Sequence, residues 1–182
     1  MKRRGYAIEG VEYLKIGIDT VNDLRHKLSF EKQRVLEKHH PYDFFNFVVT
    51  AWHLYHDWMK HDKDNRPRLF YKKVNSSPQQ MKDLVNAIRD LANGSKHFSL
   101  DKPSDEKKVV TDIHEPEIRN FYTYFFGAQS GISIAESYYT IGELVEIIDN
   151  YFNWLFDDSI SSDDFPESIF KIIVSRSQSS NA

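Results

Sequence analysis

The chain contains no cysteine in its 182 residues, which excludes disulfides, a thiolate metal site and a cysteine nucleophile. Long apolar runs are missing as well. No window approaches the roughly 18 uninterrupted apolar residues of a membrane span, so no transmembrane helix is expected. No Gly-rich phosphate loop, Ser-His-Asp signature or HExxH zinc motif is present. An excess of one charge is also lacking: 24 Lys and Arg stand against 27 Asp and Glu, for a net charge of −3. That balance argues against broad, non-specific duplex binding and still allows a small local basic pocket. The opening MKRRGYAIEG is basic but has no apolar run behind it, so it does not read as a secretory signal. A soluble, cytoplasmic protein without a membrane partner is expected.

Aromatic residues are plentiful, with 13 Phe, 10 Tyr and 3 Trp in a chain that is 40% hydrophobic. This is enough apolar surface for one core, and the length suggests a single domain over 1–182. Residues 1–19 leave a short strand or an irregular lead-in open. From Thr20, the spacing of Val21, Leu24, Leu28, Val35 and Leu36 predicts a helix, with Asp19 or Thr20 as its N-cap. It ends at HHP, because Pro41 disfavours helical geometry in the residue before it.

Pro41 then suits the start of a second helix, over PYDFFNFVVTAWHLYHDWMKHD. Phe and Trp residues cover most of its circumference, as expected of a central helix. One narrow stripe is polar: Asn46, Thr50, His53, Asp57 and His61 recur at steps of four, three, four and four, on one line of the helix. Residues 62–77 read as a charged loop. After Ser77-Pro78 a third helix buries Met81, Leu84, Val85, Ile88, Leu91 and Ala92, and stops at Asn93-Gly94. KKVVTDI, NFYTYFF and ISIAESYYT predict three short antiparallel strands, and TIGELVEIIDNYFNWLF a last helix. The fold class is thus mainly α, a bundle of about four main helices with a small three-stranded antiparallel β-meander. Its helical core spans about 20–98 and 140–157, the β insert about 107–139 and a frayed tail about 175–182.

Asn86, Arg89 and Asn93 form a second polar line, on the third helix. Facing polar lines inside an aromatic core must be mutually bonded, hydrated or bound to something, because each unpartnered buried group costs about 1–3 kcal/mol. Three readings stay open. In the first, His53 or His97 transfers protons at a phosphodiester, Arg89 and Lys96 hold phosphate, and Asp57 or Asn93 orients them. Asn46 and Thr50, on the same line as His53, are candidate substrate contacts. In the second, His53, Asp57 and His97 share a metal ion, although no cofactor is favoured. In the third, the polar groups form a structural seam in a non-enzymatic helical interaction protein, of a kind that phages or mobile elements encode. Elsewhere FYTYFF can stack bases or pack a core, Asp157-Asp158 and Asp163-Asp164 read as solvated acids, and RPRLFYKK (66–73) can meet phosphates or an acidic partner.

Arg89-Asp90 followed by His97, on the late helix of a helical bundle, resembles the HEPN superfamily. The family motif is an Arg, a polar residue and, a few positions on, a His. The resemblance implies a metal-independent ribonuclease of the toxin–antitoxin or antiphage type, with RNA as partner and two protomers completing one composite site as a homodimer. It implies phosphate contact for Arg89, the polar second position for Asp90 and acid–base work for His97. Seven residues separate Arg89 from His97, with Gly94 placed to end the helix between them, and the strands are not a general family feature.

Overall fold

Thr20 and Asp23 start the first helix reciprocally. The Asp23 backbone N–H donates to the Thr20 hydroxyl at 3.2 Å, and the Thr20 N–H donates to the Asp23 carboxylate at 2.9 Å. Two donors that the first turn would leave without partners are satisfied this way. The computed structural model describes residues 17–38, 40–94, 110–114 and 131–171. Within them α1 spans Val21–Lys38 and α2 spans Pro41–His53. The latter continues unbroken through a π-helical turn, Leu54–Trp58, into a last turn, α3, Met59–His61. Then come α4, Phe70–Ser76, α5, Gln79–Gly94, and α6, Ile141–Phe156, followed by a 3₁₀ turn at Glu167–Phe170. Thr140 and Glu143 form a capping box at the start of α6.

The protein is therefore mainly α-helical with a small antiparallel sheet, and the four expected helices correspond to α1, the α2–α3 run, α5 and α6. The expectation of a loop over 62–77 is corrected by α4. Its buried stripe is Phe70, Lys73 and, just beyond its end, Ser77, and a lysine at the centre of a stripe defeats hydrophobic periodicity. α1, α2, α5 and α6 pack on one another. Their shared core includes Leu28, Phe47, Leu54, Leu84, Ile148 and Tyr151.

The sheet has the order β1-β2-β3, with β1 at Val110–His114, β2 at Gly131–Ile134 and β3 at Ser137–Thr140. It packs against α5 and α6. The expected partition into strands differs from this one: ISIAESYYT is not one strand but a hairpin, and NFYTYFF lies outside the described residues. Ile134 pairs with Ser137, leaving a two-residue turn at Ala135-Glu136 in which Ala135 has φ +52°. A positive φ at the first turn position alone is the pattern of a type II′ turn, which favours glycine there. Ala-Glu carries no turn signal, so the hairpin was hidden in the sequence. Ala135→Gly removes the Cβ strain and is expected to raise stability by about 0.5–1 kcal/mol in urea denaturation. A neutral or destabilising result would show that the added chain entropy outweighs the relief.

Charged groups complete the contact between α1 and α6. Arg25 pairs with Asp149 at 2.6 Å and donates to Asn153 at 2.5 Å, while Lys32 reaches Asp149 at 2.9 Å and Glu146 at 2.6 Å. Burial works against the Lys32 charge, but hydrogen bonds to Glu146 and Asp149 outweigh it and raise its pKa. With the folded value above the unfolded one, this contribution is complete below the ordinary lysine range and fades as pH rises through the raised value.

Candidate functional site

The polar line predicted along α2 does not form one surface. Asn46 is exposed, whereas Thr50 points into the interior, where its hydroxyl accepts from Lys27 of α1 at 2.5 Å. Lys27 also pairs with the buried Glu31. His61, at the far end, is exposed again. The π-helical turn is the local cause of part of this divergence. The Met59 N–H reaches back to the Leu54 carbonyl, and a widened turn re-aims the side chains that follow it.

One part of the line stays together. His53 Nδ1 lies 2.7 Å from Asp57 Oδ2, and His56 Nδ1 lies 2.8 Å from Asp57 Oδ1. One carboxylate thus holds two imidazoles, one on each oxygen. Desolvation pushes the Asp57 pKa up, but the bonds from His56 and His53 outweigh it and hold the group below the usual carboxylate value. Asp57 is therefore an anion at neutral pH. With Nδ1–H donating to it, each ring keeps Nε2 as the atom able to take or give a proton. His53 and Asp57 are part-exposed and His56 is exposed, so a substrate can reach them. Trp52 stacks on the His56 ring at 4.9 Å and 14°, which fixes the ring's plane. His56 is a site residue that was not among the candidates on the polar line. Its signal was HLYHD itself, where a second histidine stands next to the acid.

The α5 candidates have bonds of their own. Arg89 donates to Asp90 Oδ1 through Nε at 3.0 Å and Nη2 at 2.8 Å, and to Asn86 through Nη1 at 3.4 Å. Both Arg89 and Asp90 are part-buried and have further interactions beyond these. Asn93 is part-buried near the helix end. α2 and α5 do pack against each other, yet no hydrogen bond or ion pair joins Arg89 to His53 or Asp57 among the described residues. Lys96 and His97 lie outside the described residues, so the proposed three-ligand set of His53, Asp57 and His97 has only its first two members in view. Among the described residues no group of three or more His, Asp or Glu is placed to hold a metal ion. Each imidazole turns its Nδ1 to a different oxygen of Asp57, an arrangement suited to proton transfer.

The basic stretch 66–73 is divided. Lys73 is fully buried, Arg66 donates to the Met59 carbonyl at 2.8 Å and to the Tyr71 hydroxyl at 3.0 Å, and Arg68 and Lys72 are exposed. Among the described residues no helix is long and apolar enough to cross a membrane. A scan against protein-family models found no match, and neither did comparisons with curated proteins and with solved structures.

Proposed function

We propose that the protein is a metal-independent, RNA-directed nuclease of the HEPN-like kind, with His53 as a proton-transfer residue oriented by Asp57. The observation that carries this reading is the accessible Asp57 carboxylate bonded to two imidazole Nδ1 atoms. RNA supplies its own nucleophile. His53 Nε2 takes the proton of a 2′-hydroxyl, the 2′-oxygen attacks phosphorus, and the bond from phosphorus to O5′ breaks. The departing O5′ takes a proton from a second imidazole, and a 2′,3′-cyclic phosphate remains. His56 is the second imidazole on the same carboxylate, and His97 is the one the HEPN resemblance implies. Arg89, steadied by Asp90, and Lys96 are the phosphate-holding groups in this reading, with a paired protomer completing the site.

The test is RNA cleavage by purified protein in EDTA. His53→Ala and Asp57→Asn are each expected to slow cleavage at least about 100-fold, the usual scale of general acid–base catalysis. His56→Ala and His97→Ala, assayed in parallel, identify the acid by which of them loses activity. Undiminished cleavage by His53→Ala would remove the dyad from the mechanism and move the chemistry to Arg89 and His97. A well-folded wild type that cleaves none of a panel of structured and single-stranded RNAs would favour the second reading, a non-enzymatic interaction protein. The internal bonding of Thr50 to Lys27 supports that alternative, because it makes part of the α2 polar line structural.

A further inference from the structure

A row of rings leads away from the His53–Asp57–His56 cluster. His56 stacks on Trp52, and Trp52 lies 6.2 Å from Tyr55 at an interplanar angle of 27°. Tyr55 meets Phe70 edge-on at 5.8 Å, and Phe70 meets Tyr71 edge-on at 5.2 Å. The Arg66 guanidinium closes the row, 4.5 Å from the centre of the Tyr71 ring. The inner rings are anchored in the core by Phe70, which is 3% exposed, while Tyr71 at the far end is 49% exposed. The His56 side chain at the near end is 53% exposed. Two accessible rings are therefore linked by a part-buried aromatic row seated on the core through Phe70.

The charge along this row differs from that of the chain. Between Asp57 and Lys72 there are five Lys and Arg against three Asp, in a protein of net charge −3, and one acid from elsewhere adjoins them, Asp158, which accepts from the Arg68 and Leu69 N–H groups at 3.0 and 3.1 Å. Two of the three Asp are engaged internally, Asp57 by the imidazoles and Asp62 by the Val21 N–H at 2.9 Å and Asn65 at 2.9 Å. Lys60, Lys63, Arg68 and Lys72 are all exposed. A local cationic surface beside exposed rings is what an unpaired polynucleotide recognises: its bases stack without regard to sequence and its phosphates seek cations. A duplex offers no free base face to such rings.

From this we infer that the His56–Tyr71 row is a docking track for single-stranded RNA, with bases stacking on His56 and Tyr71 and phosphates meeting Arg68 and Lys72. The inference rests on the RNA-directed reading above and adds to it how the strand reaches Asp57. The probe is a fluorescein-labelled 12-nucleotide oligouridine, titrated with His53→Gln protein at low salt in EDTA and followed by anisotropy. Adding Tyr71→Ala is expected to weaken binding about tenfold, and Tyr71→Phe, which keeps the ring, to leave it within about twofold. Arg68→Ala with Lys72→Ala is expected to weaken binding and to lower the slope of log K against log salt by about 1.4. Tyr42→Ala, at an exposed aromatic on α2 away from the row, serves as the control and is expected to change nothing.

Binding unaffected by Tyr71→Ala, or equal affinity for a 12-base-pair duplex, would overturn the track. So would a polyglutamate peptide that binds while oligouridine does not, since the surface would then belong to an acidic protein partner. The two readings fail separately. Cleavage that needs His53 but not Tyr71 retains the acid–base reading and sinks the track, whereas Tyr71-dependent binding without cleavage retains the track and sinks the nuclease.

Discussion

Asp149→Ala is expected to destabilise the protein by about 3–5 kcal/mol, the usual cost of removing one partner from a buried ion pair. Asp149 is 5% exposed and sits on α6, otherwise the most apolar helix of the bundle. Its Oδ1 contacts Arg25 at 2.6 Å and its Oδ2 accepts from Lys32 at 2.9 Å. Arg25 is itself 8% exposed, so the alanine variant leaves a guanidinium in the core with only Ser29, Asn153 and the Asp149 carbonyl as partners. Lys32 retains Glu146. Urea denaturation gives the value directly. The paired variant Arg25→Met with Asp149→Leu removes both charges and fills the space, so it is expected to lose less than Asp149→Ala alone. A loss under about 1 kcal/mol in Asp149→Ala would show that water reaches this pair and that the α1–α6 contact does not depend on it.

Lys73→Ala is expected to cost about 3 kcal/mol and Lys73→Met about 2 kcal/mol, from lost charged hydrogen bonds and, in the alanine variant, lost packing. Lys73 has no exposed surface. Its ammonium donates to the Trp154 carbonyl at 2.6 Å and the Asp157 carbonyl at 2.5 Å, and lies 5.1 Å from the centre of the Trp154 ring. These are carbonyls at the C-terminal end of α6, where the helix dipole is negative and each otherwise accepts only one longer bond, from the Asp157 N–H and the Ile160 N–H at 3.3 Å. Desolvation lowers the Lys73 pKa, and the neighbouring Asp157 and Asp158 only partly offset it. Methionine preserves most of the packing and isolates the polar loss. For a chain of this length, the alanine variant should melt about 6–12 °C below wild type in a calorimetric scan. Equal melting temperatures would mean that solvent satisfies the α6 carbonyls once Lys73 is gone.

Most helices of this protein are legible because their information is local. Thr20 with Asp23, Pro41, Ser77-Pro78 and Thr140 with Glu143 are punctuation read within a few residues, and apolar spacing fills the intervals. The spacing Met81, Leu84, Val85, Ile88 identifies the buried face of α5 with no knowledge of what covers it. His53 and Asp57 are legible in the same way, since a four-residue step on a helix brings two side chains together whatever surrounds them.

The remaining features depend on partners distant in the chain. α4 forms within a charged stretch because Lys73 finds the end of α6, some eighty residues away. The hairpin over ISIAESYYT arises from pairing with β1 and packing on α5 and α6, which impose a positive φ on an alanine that local preference would not choose. Thr50 is interior and Asn46 exterior, though both lie on one helical line, because α1 covers that line at Thr50 and not at Asn46. The sequence by itself determined where the four main helices lie and which of their faces are apolar, because those depend on backbone bonding and side-chain spacing within a turn or two. Tertiary structure alone decided which polar groups are buried, since burying a charge is tolerable only where a partner from another segment meets it.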